Sequence, residues 1–367
     1  MYKVFYLKLN ITFFFIFIYS FINAQVFRNY SNEFLNIGVD AAALGMSKAV
    51  VASTNDVNST YWNPAGLIGI KDIQGSLMHA SYFSGIANYN HAAFAVPVDN
   101  RSTVGVSVVR FGVDDILNTT ELIDSNGNID FNRISLFSSV DYAFTGTYAK
   151  KILSPNINFG VNAKIVRRII GDFANSWGFG FDIGFQFDKK NWKFGLVFRD
   201  VTTTFNTWII DDNEFQKIKN ANFFENDTAT DTNQELPKTT ELTKPKMQIG
   251  VAKDWKLSRS FFLLAEVDAN IRFGETNDLI SSDKISIDPA IGFELTYESF
   301  AYLRTGVGNF QYIAQPDNTN SLSLQPNLGI GFQFKSIQID YALTNIGSVG
   351  NALYSNIFSL KFNLNQF

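Results

Sequence analysis

The sequence predicts an all-β chain that closes into a transmembrane antiparallel β-barrel of about fourteen strands. Three observations predict it. From about residue 72 onward apolar and polar residues alternate with period two, the apolar positions are unusually aromatic, and the connectors are by turns short and long. The clearest stretch is Trp177-Gly-Phe-Gly-Phe-Asp-Ile-Gly-Phe-Gln-Phe187. Trp177, Phe179, Phe181, Ile183, Phe185 and Phe187 fall on one face and Gly178, Gly180, Asp182, Gly184 and Gln186 on the other, because successive side chains of a strand point to opposite sides. One face suits lipid and the other a polar lumen.

Composition agrees with this reading. The chain holds 37 Phe and 14 Tyr, only 17% of its residues are charged, and its mean hydropathy is -0.00. Apolar residues are therefore dispersed among Gly, Ser, Asn and Thr, as a barrel wall requires. Beyond the N-terminus no run reaches the roughly 20 apolar residues of a spanning helix. The N-terminus carries Lys3 and Lys8, the apolar run Ile11 to Ile22 and then Asn23-Ala24-Gln25, which reads as a secretory signal peptide over 1–24. With no cysteine, neither a disulfide framework nor a lipid-modified N-terminal cysteine is expected. A net charge of -4 without a basic tract argues against nucleic acid as a partner.

Residues 25–70 do not alternate. Their small residues, Gly38 and Gly45 permit tight packing, and Asn63-Pro64 marks a turn, so the segment is expected to plug the lumen or lie under its mouth. Its candidate docking motif is Trp62, Asn63, Pro64, Ala65 and Gly66, with Trp62 as a large apolar anchor and Pro64 fixing φ. The barrel then occupies 71–367, with candidate strands near 72–83, 88–98, 101–112, 133–150, 156–168, 176–188, 191–201, 245–254, 259–273, 285–297, 300–310, 324–335, 336–346 and 354–364. Connectors such as 99–101, 188–191 and 298–299 are short, whereas 113–132, 202–244, 274–284 and 311–323 are long. In outer-membrane barrels short turns face the periplasm and long loops the exterior, so both termini are expected in the periplasm. The last strand alternates Phe358, Leu360, Phe362 and Leu364 with Ser359, Lys361 and Asn363, and the chain ends at Phe367, a pattern similar to the signal read by the barrel-assembly machinery.

The lumen-facing charges are Asp141, Lys164, Asp182, Lys193, Arg199, Glu266, Asp268, Arg272, Glu294 and Asp340. Both signs are present, so the simpler reading is a lattice of ion pairs bracing the barrel. Enzyme chemistry finds little support. There is no Gly-x-Ser-x-Gly elbow and no Cys, and the two histidines, His79 and His91, meet only if the hairpin near Gly85 is symmetric. No cofactor or metal is expected.

Several stretches closely resemble the PorV/PorQ family of the type IX secretion system, found in outer membranes of the Bacteroidetes and related to FadL-like barrels. They are Asn36-Ile-Gly-Val-Asp-Ala-Ala-Ala-Leu-Gly-Met46, Tyr61-Trp-Asn-Pro-Ala-Gly-Leu67, Arg110-Phe-Gly-Val-Asp-Asp115, Gly171-Asp-Phe173 with Trp177-Gly-Phe-Gly180, Arg199-Asp-Val-Thr-Thr-Thr-Phe-Asn206 and Gln338-Ile-Asp-Tyr-Ala-Leu343. The resemblance implies a fourteen-stranded FadL-like barrel in an outer membrane that works in protein export. Its expected partners are other type IX secretion components, exported cargo proteins and outer-membrane lipid. The alternative is a FadL-like channel for hydrophobic small molecules, in which residues 25–70 form a hatch. The outer loops separate the two. The longest, with Thr202, Phe205, Asp211, Glu214 and Lys244 as candidate cargo-binding residues, is rich in Asp, Glu, Asn, Thr and Lys, which suits protein contact better than an apolar funnel.

Overall fold

The computed structural model describes residues 31–123, 128–152, 156–214, 240–315, 319–345 and 354–364. The expected signal peptide and the terminal Phe367 lie outside the described residues. Among the described residues seventeen strands form one antiparallel sheet. They are β1 (Gln74–Tyr82), β2 (Ala87–Asp99), β3 (Ser102–Asn118), β4 (Ser135–Lys151), β5 (Ile157–Ile170), β6 (Ala174–Lys189), β7 (Trp192–Arg199), β8 (Thr204–Ile210) and β9 (Thr240–Thr243). After these come β10 (Lys246–Lys256), β11 (Phe261–Arg272), β12 (Ile280–Ser281), β13 (Ser286–Tyr297), β14 (Ala301–Ala314), β15 (Asn320–Phe334), β16 (Ile337–Asn345) and β17 (Tyr354–Asn363).

The sheet closes because β1 pairs with both β2 and β17. Fourteen strands make up this closed wall. The remaining three extend it or cap a loop: β8 continues the line of β7 beside β6, β9 pairs with β8 and continues the line of β10, and β12 pairs with the start of β13. Period-two alternation sets the faces. Trp177, Phe179 and Phe181 point outward and are exposed, while Gly178, Gly180 and Asp182 between them are buried. At the short-turn end the outer face carries Trp192, Trp255, Phe261, Phe300 and Phe334. There the Lys253 ammonium lies 4.6 Å from the Trp192 ring centre and 5.0 Å from that of Trp255, a snorkelling arrangement suited to a membrane interface.

Two strand lines are interrupted at one level. Asp200 (φ 54) and Thr203 (φ 62) adopt left-handed backbone between β7 and β8, and across from them Lys244-Pro245 separates β9 from β10. The break is stitched internally. The Asp200 N–H donates to Asp182 Oδ1 at 2.9 Å, the Val201 N–H donates to the Phe181 carbonyl at 2.9 Å, and the Asp200 carboxylate accepts from Lys164 Nζ at 2.7 Å.

This corrects the expected 202–244 loop. Thr202 sits in the break and Phe205 in β8, facing outward from the wall, because Thr204–Ile210 resumes the alternation beside β6. Of the candidate cargo-binding residues, Asp211 and Glu214 follow β8, Lys244 sits in the break between β9 and β10, and 215–239 lie outside the described residues. The condition under which the histidines would meet, a hairpin symmetric about Gly85, is not met. The β1–β2 register pairs His79 with Asn90 and Met78 with His91, one residue away from the symmetric pairing, so His79 faces out and His91 in.

Candidate functional site

Residues 31–70 fill the lumen, and the candidate site is the interface between this segment and the inner wall. Its short elements are α1 (Ala41–Gly45), α2 (Ser59–Trp62) and a 3-10 helix over Pro64–Gly69. α1 packs on β14–β17 and the Pro64–Gly69 helix on β3–β6, so the plug spans the lumen. Pro64 starts its helix where no N–H is needed, and the Asn63 carboxamide oxygen accepts from the Ala65 N–H at 3.2 Å. The Asn63 amide donates outward to the Val51 carbonyl at 2.8 Å and to the Phe185 carbonyl of β6 at 3.1 Å, joining two parts of the plug to the wall. Trp62 is buried; its Nε1–H donates to the Val39 carbonyl at 3.1 Å and its ring meets Tyr61 edge-on at 4.9 Å. Ala65 is fully buried, and Gly66 abuts the Thr54 carbonyl so closely that any Cβ would overlap it. The five motif residues thus meet at one turn against β6.

The wall holds the plug by its backbone. On β11, Asp268 Oδ2 accepts from the N–H groups of Val50 and Val51 at 2.9 and 3.0 Å, and Glu266 Oε1 accepts from the Ala52 N–H at 2.6 Å. The Gln186 amide donates to the Thr54 carbonyl at 2.8 Å, the Asn162 amide to the Thr60 carbonyl at 3.0 Å, and Arg199 to the Tyr61 carbonyl at 3.0 Å. Lys361 pairs with Asp56 at 2.6 Å. Irregular backbone inside a barrel must have its polar groups met by the wall, and these side chains meet them.

Lumen charges therefore divide by role. Arg304 with Glu294 and Asp340, Lys164 with Asp182 and Asp200, and Arg168 with Asp141 are strand-to-strand braces, in line with the lattice expected from sequence. Glu266, Asp268 and Arg199 instead grip the plug. Their inward direction follows from alternation, but their role does not, because their partners are main-chain groups more than a hundred residues distant. A Glu-x-Asp pair on one inward face, without a cation opposite in the adjacent strands, is the signal that could have flagged a backbone-binding role.

Hollows lie on either side of the plug. At the short-turn end a polar one of about 620 Å³ is lined by groups including Asp40, Asp56, Lys193, Asp254, Arg304 and Lys361. At the long-loop end the space shrinks to about 70 Å³ around Lys48, Arg199, Lys246, Arg272 and Asp288. Neither is an apolar pocket. Among the described residues no group of three or more His, Cys, Asp or Glu could hold a metal ion.

Asp40 gives this interface a pH dependence. Burial, reinforced by Asp340 and Asp56, raises its carboxyl to about 7. The folded state thus binds a proton that the freed segment releases near the ordinary carboxylate value of 3.8. Docking is favoured most below that value and weakens as pH rises toward 7. Asp40→Asn, which keeps an acceptor for the Ala42 N–H and tolerates the positive φ, should flatten this dependence. Protease cleavage within 31–70, measured from pH 4 to 8, checks it; parallel pH curves for the two proteins would refute it.

No protein-family model matches the chain, and no curated sequence matches it significantly. Solved structures do. The CymD monoaromatic hydrocarbon channel matches with a TM-score of 0.55 at 10% identity, over 92% of this chain and 99% of that one. A Pseudomonas aeruginosa FadL homologue matches with a TM-score of 0.51 at 12% identity, over 89% and 98%. The Pseudomonas putida toluene transporter TodX matches with a TM-score of 0.52 at 11% identity, over 89% and 99%. The fold is thus that of FadL-type outer-membrane barrels. No sequence match places the chain in the PorV/PorQ family.

Proposed function

We propose that this protein is a plugged outer-membrane barrel of the type IX secretion system, serving as a membrane platform that binds or escorts exported proteins at the cell surface. The observation that carries this reading is the chemistry of the lumen. The plug is fastened by buried carboxylates, amides and guanidinium groups, and the hollow at the long-loop end is small and ringed by Lys48, Arg199, Lys246 and Arg272. A hydrophobic permeant needs an apolar path, because it cannot replace the hydrogen bonds of such groups. The sequence resemblance supplies the export role itself, and the long loop, taken to face outside, supplies the contact surface.

The second reading is a channel for hydrophobic small molecules, and the solved structures favour it over export: CymD and TodX are named for monoaromatic hydrocarbon and toluene transport. The two readings separate in a deletion strain. Loss of many secreted proteins that share one C-terminal domain supports export; normal secretion with lost uptake of toluene-like compounds overturns it in favour of the channel.

The loop can be tested without touching the wall. Replacing 211–239 by a short turn leaves β8 and β9 intact and should spare barrel assembly, read as heat-modifiable migration in gels. Co-purification with secreted proteins should fall at least tenfold, since the wet, charged contacts expected of an exchangeable interface would be gone. A shortened protein that captures cargo as well as the parent would remove the loop from the mechanism.

A further inference from the structure

A row of outward-facing residues crosses six strands at one level near the long-loop end. The pairing registers run from His79 on β1 to Asn90 on β2, Arg110 on β3, Tyr142 on β4, Arg167 on β5 and Trp177 on β6. One step toward the short-turn end the same registers align Leu77, Ala92, Val108, Phe144, Ile165 and Phe179, all apolar. The change from one row to the next marks the edge of the apolar band. The height of the wall agrees. From Trp177 to Phe187 the outward face of β6 is apolar throughout. Its ten residue steps of about 3.4 Å, tilted by roughly 40°, rise about 25 Å, the depth of the lipid-facing band of such barrels. Arg110 and Arg167 therefore stand where the wall meets the lipid headgroups.

The two guanidinium groups are held differently. Arg110 lies across Gly112, where a Cβ would come within 3.0 Å of its Nη1, and its Nη2 pairs with Asp114 at 3.0 Å on the long-loop side. Arg167 lies 4.7 Å from the centre of the exposed Trp177 ring, and its Nη1 donates to the Asn175 carboxamide oxygen at 2.6 Å. Its outward neighbours are Val140, Tyr142 and Phe144 on β4 and Asn175, Trp177 and Phe179 on β6, none of them acidic. A cation set among aromatic and amide groups on a wall that faces lipid is best balanced by an anion the lipid itself carries. A guanidinium has the planar fork that matches two phosphate oxygens. Arg110 stands two strand spacings from it, about 10 Å, close enough to add attraction.

We propose that Arg167, flanked by Tyr142 and Arg110, forms a site on the outer wall for the phosphate of an anionic lipid headgroup. Arg167 is the direct ligand, the Trp177 ring holds its plane, and Arg110, partly neutralised by Asp114, contributes at longer range. The acyl chains then lie along the apolar row through Phe144, Ile165 and Phe179. The site is on the wall, apart from the plug and the long loop. It does not depend on the export role, so its failure leaves that reading to the loop and deletion experiments.

The test is tryptophan quenching of the full-length protein in phosphatidylcholine vesicles that carry a minor fraction of one lipid brominated near its headgroup. The Trp177 signal is the difference between the wild type and Trp177→Phe. Brominated phosphatidic acid is expected to quench it at least twofold more than brominated phosphatidylcholine, and Arg167→Gln should bring the two lipids level. Lys150→Gln removes a cation from the opposite end of β4 and should leave the preference unchanged. Equal quenching by the two lipids in the wild type, a wild-type preference in Arg167→Gln, or the same loss in Lys150→Gln would overturn the site. So would an equal preference for brominated stearate, since a carboxylate lipid would then serve as well as a phosphate. Should Arg167→Gln not assemble, the wild type decides by comparison with Trp192, whose signal comes from Trp192→Phe. A stronger preference at Trp177 than at Trp192 supports the site, and the same preference at both refutes it.

Discussion

Phe181→Arg is expected to destabilise the assembled barrel by about 2 to 4 kcal/mol, the cost of a cation on the lipid face near the bilayer midplane. Phe181 stands on the outer face of β6 between Phe179 and Ile183, opposite Ala163 of β5, and is half exposed. Its carbonyl also receives the Val201 N–H at the wall interruption, where β6 lacks a continuous partner strand and has less ladder to absorb a distortion. A fair comparison needs an inward residue that does not hold the plug. Gln186 fails this requirement, because its amide donates to the Thr54 carbonyl and approaches those of Val51 and Ala52. Asn158 of β5 meets it: it lines a separate hollow of about 410 Å³ that also contains Asp99 and Asp188, so Asn158→Arg gains solvent and carboxylates. Equilibrium unfolding in urea from lipid vesicles gives both values, and equal losses for the two variants would show that the outer face of β6 does not meet lipid.

The outer face was legible in the sequence because lipid imposes one requirement on every strand, so the same alternation recurs fourteen times and each recurrence can be read alone. The inner face was legible only as a direction. The buried glycines of β5 and β6 read as part of a polar lumen face, yet Gly160 and Gly184 lie bare because Pro64 packs against them. No local pattern announces a contact with a segment about a hundred residues earlier. The backbone-gripping roles of Glu266 and Asp268 were hidden for the same reason.

Errors of register and interruption have a different origin. His79 and His91 could meet only across a hairpin symmetric about Gly85, and a one-residue displacement puts them on opposite faces. Residues 202–244 looked like one loop because Asp200–Thr203 and Lys244-Pro245 break the alternation just where β7 and β10 would have continued. Beyond the breaks, Thr204 and Asn206 point inward while Phe205 and Ile209 point outward, a pattern too short to stand out beside a polar run. Thr240–Thr243, as Thr-Glu-Leu-Thr, carries a single apolar residue and is a strand only because β8 lies next to it.

Trp62→Ala is expected to weaken docking of the plug by about 3 to 5 kcal/mol, the range for emptying a large buried aromatic site. The ring fills the space against Gly38 and Leu44, and its loss also strips the Val39 carbonyl of its donor. Gly38, at φ 99, already uses a conformation that other residues rarely adopt, so the chain there has little freedom to collapse into the void. The wall should persist, since its ladders close without the plug, whereas residues 31–70 lose the anchor that orients Asn63 toward Val51 and Phe185. Protease should then cleave within 31–70 while the strands stay protected, and conductance across a planar bilayer should rise as the lumen clears. Gly160→Leu provides an independent route to the same state from the wall side, because a side chain there would occupy the position of the Pro64 carbonyl. If both variants keep wild-type protease resistance and conductance, Trp62 and the glycine seat do not hold the plug, and the polar wall side chains that bind its backbone suffice.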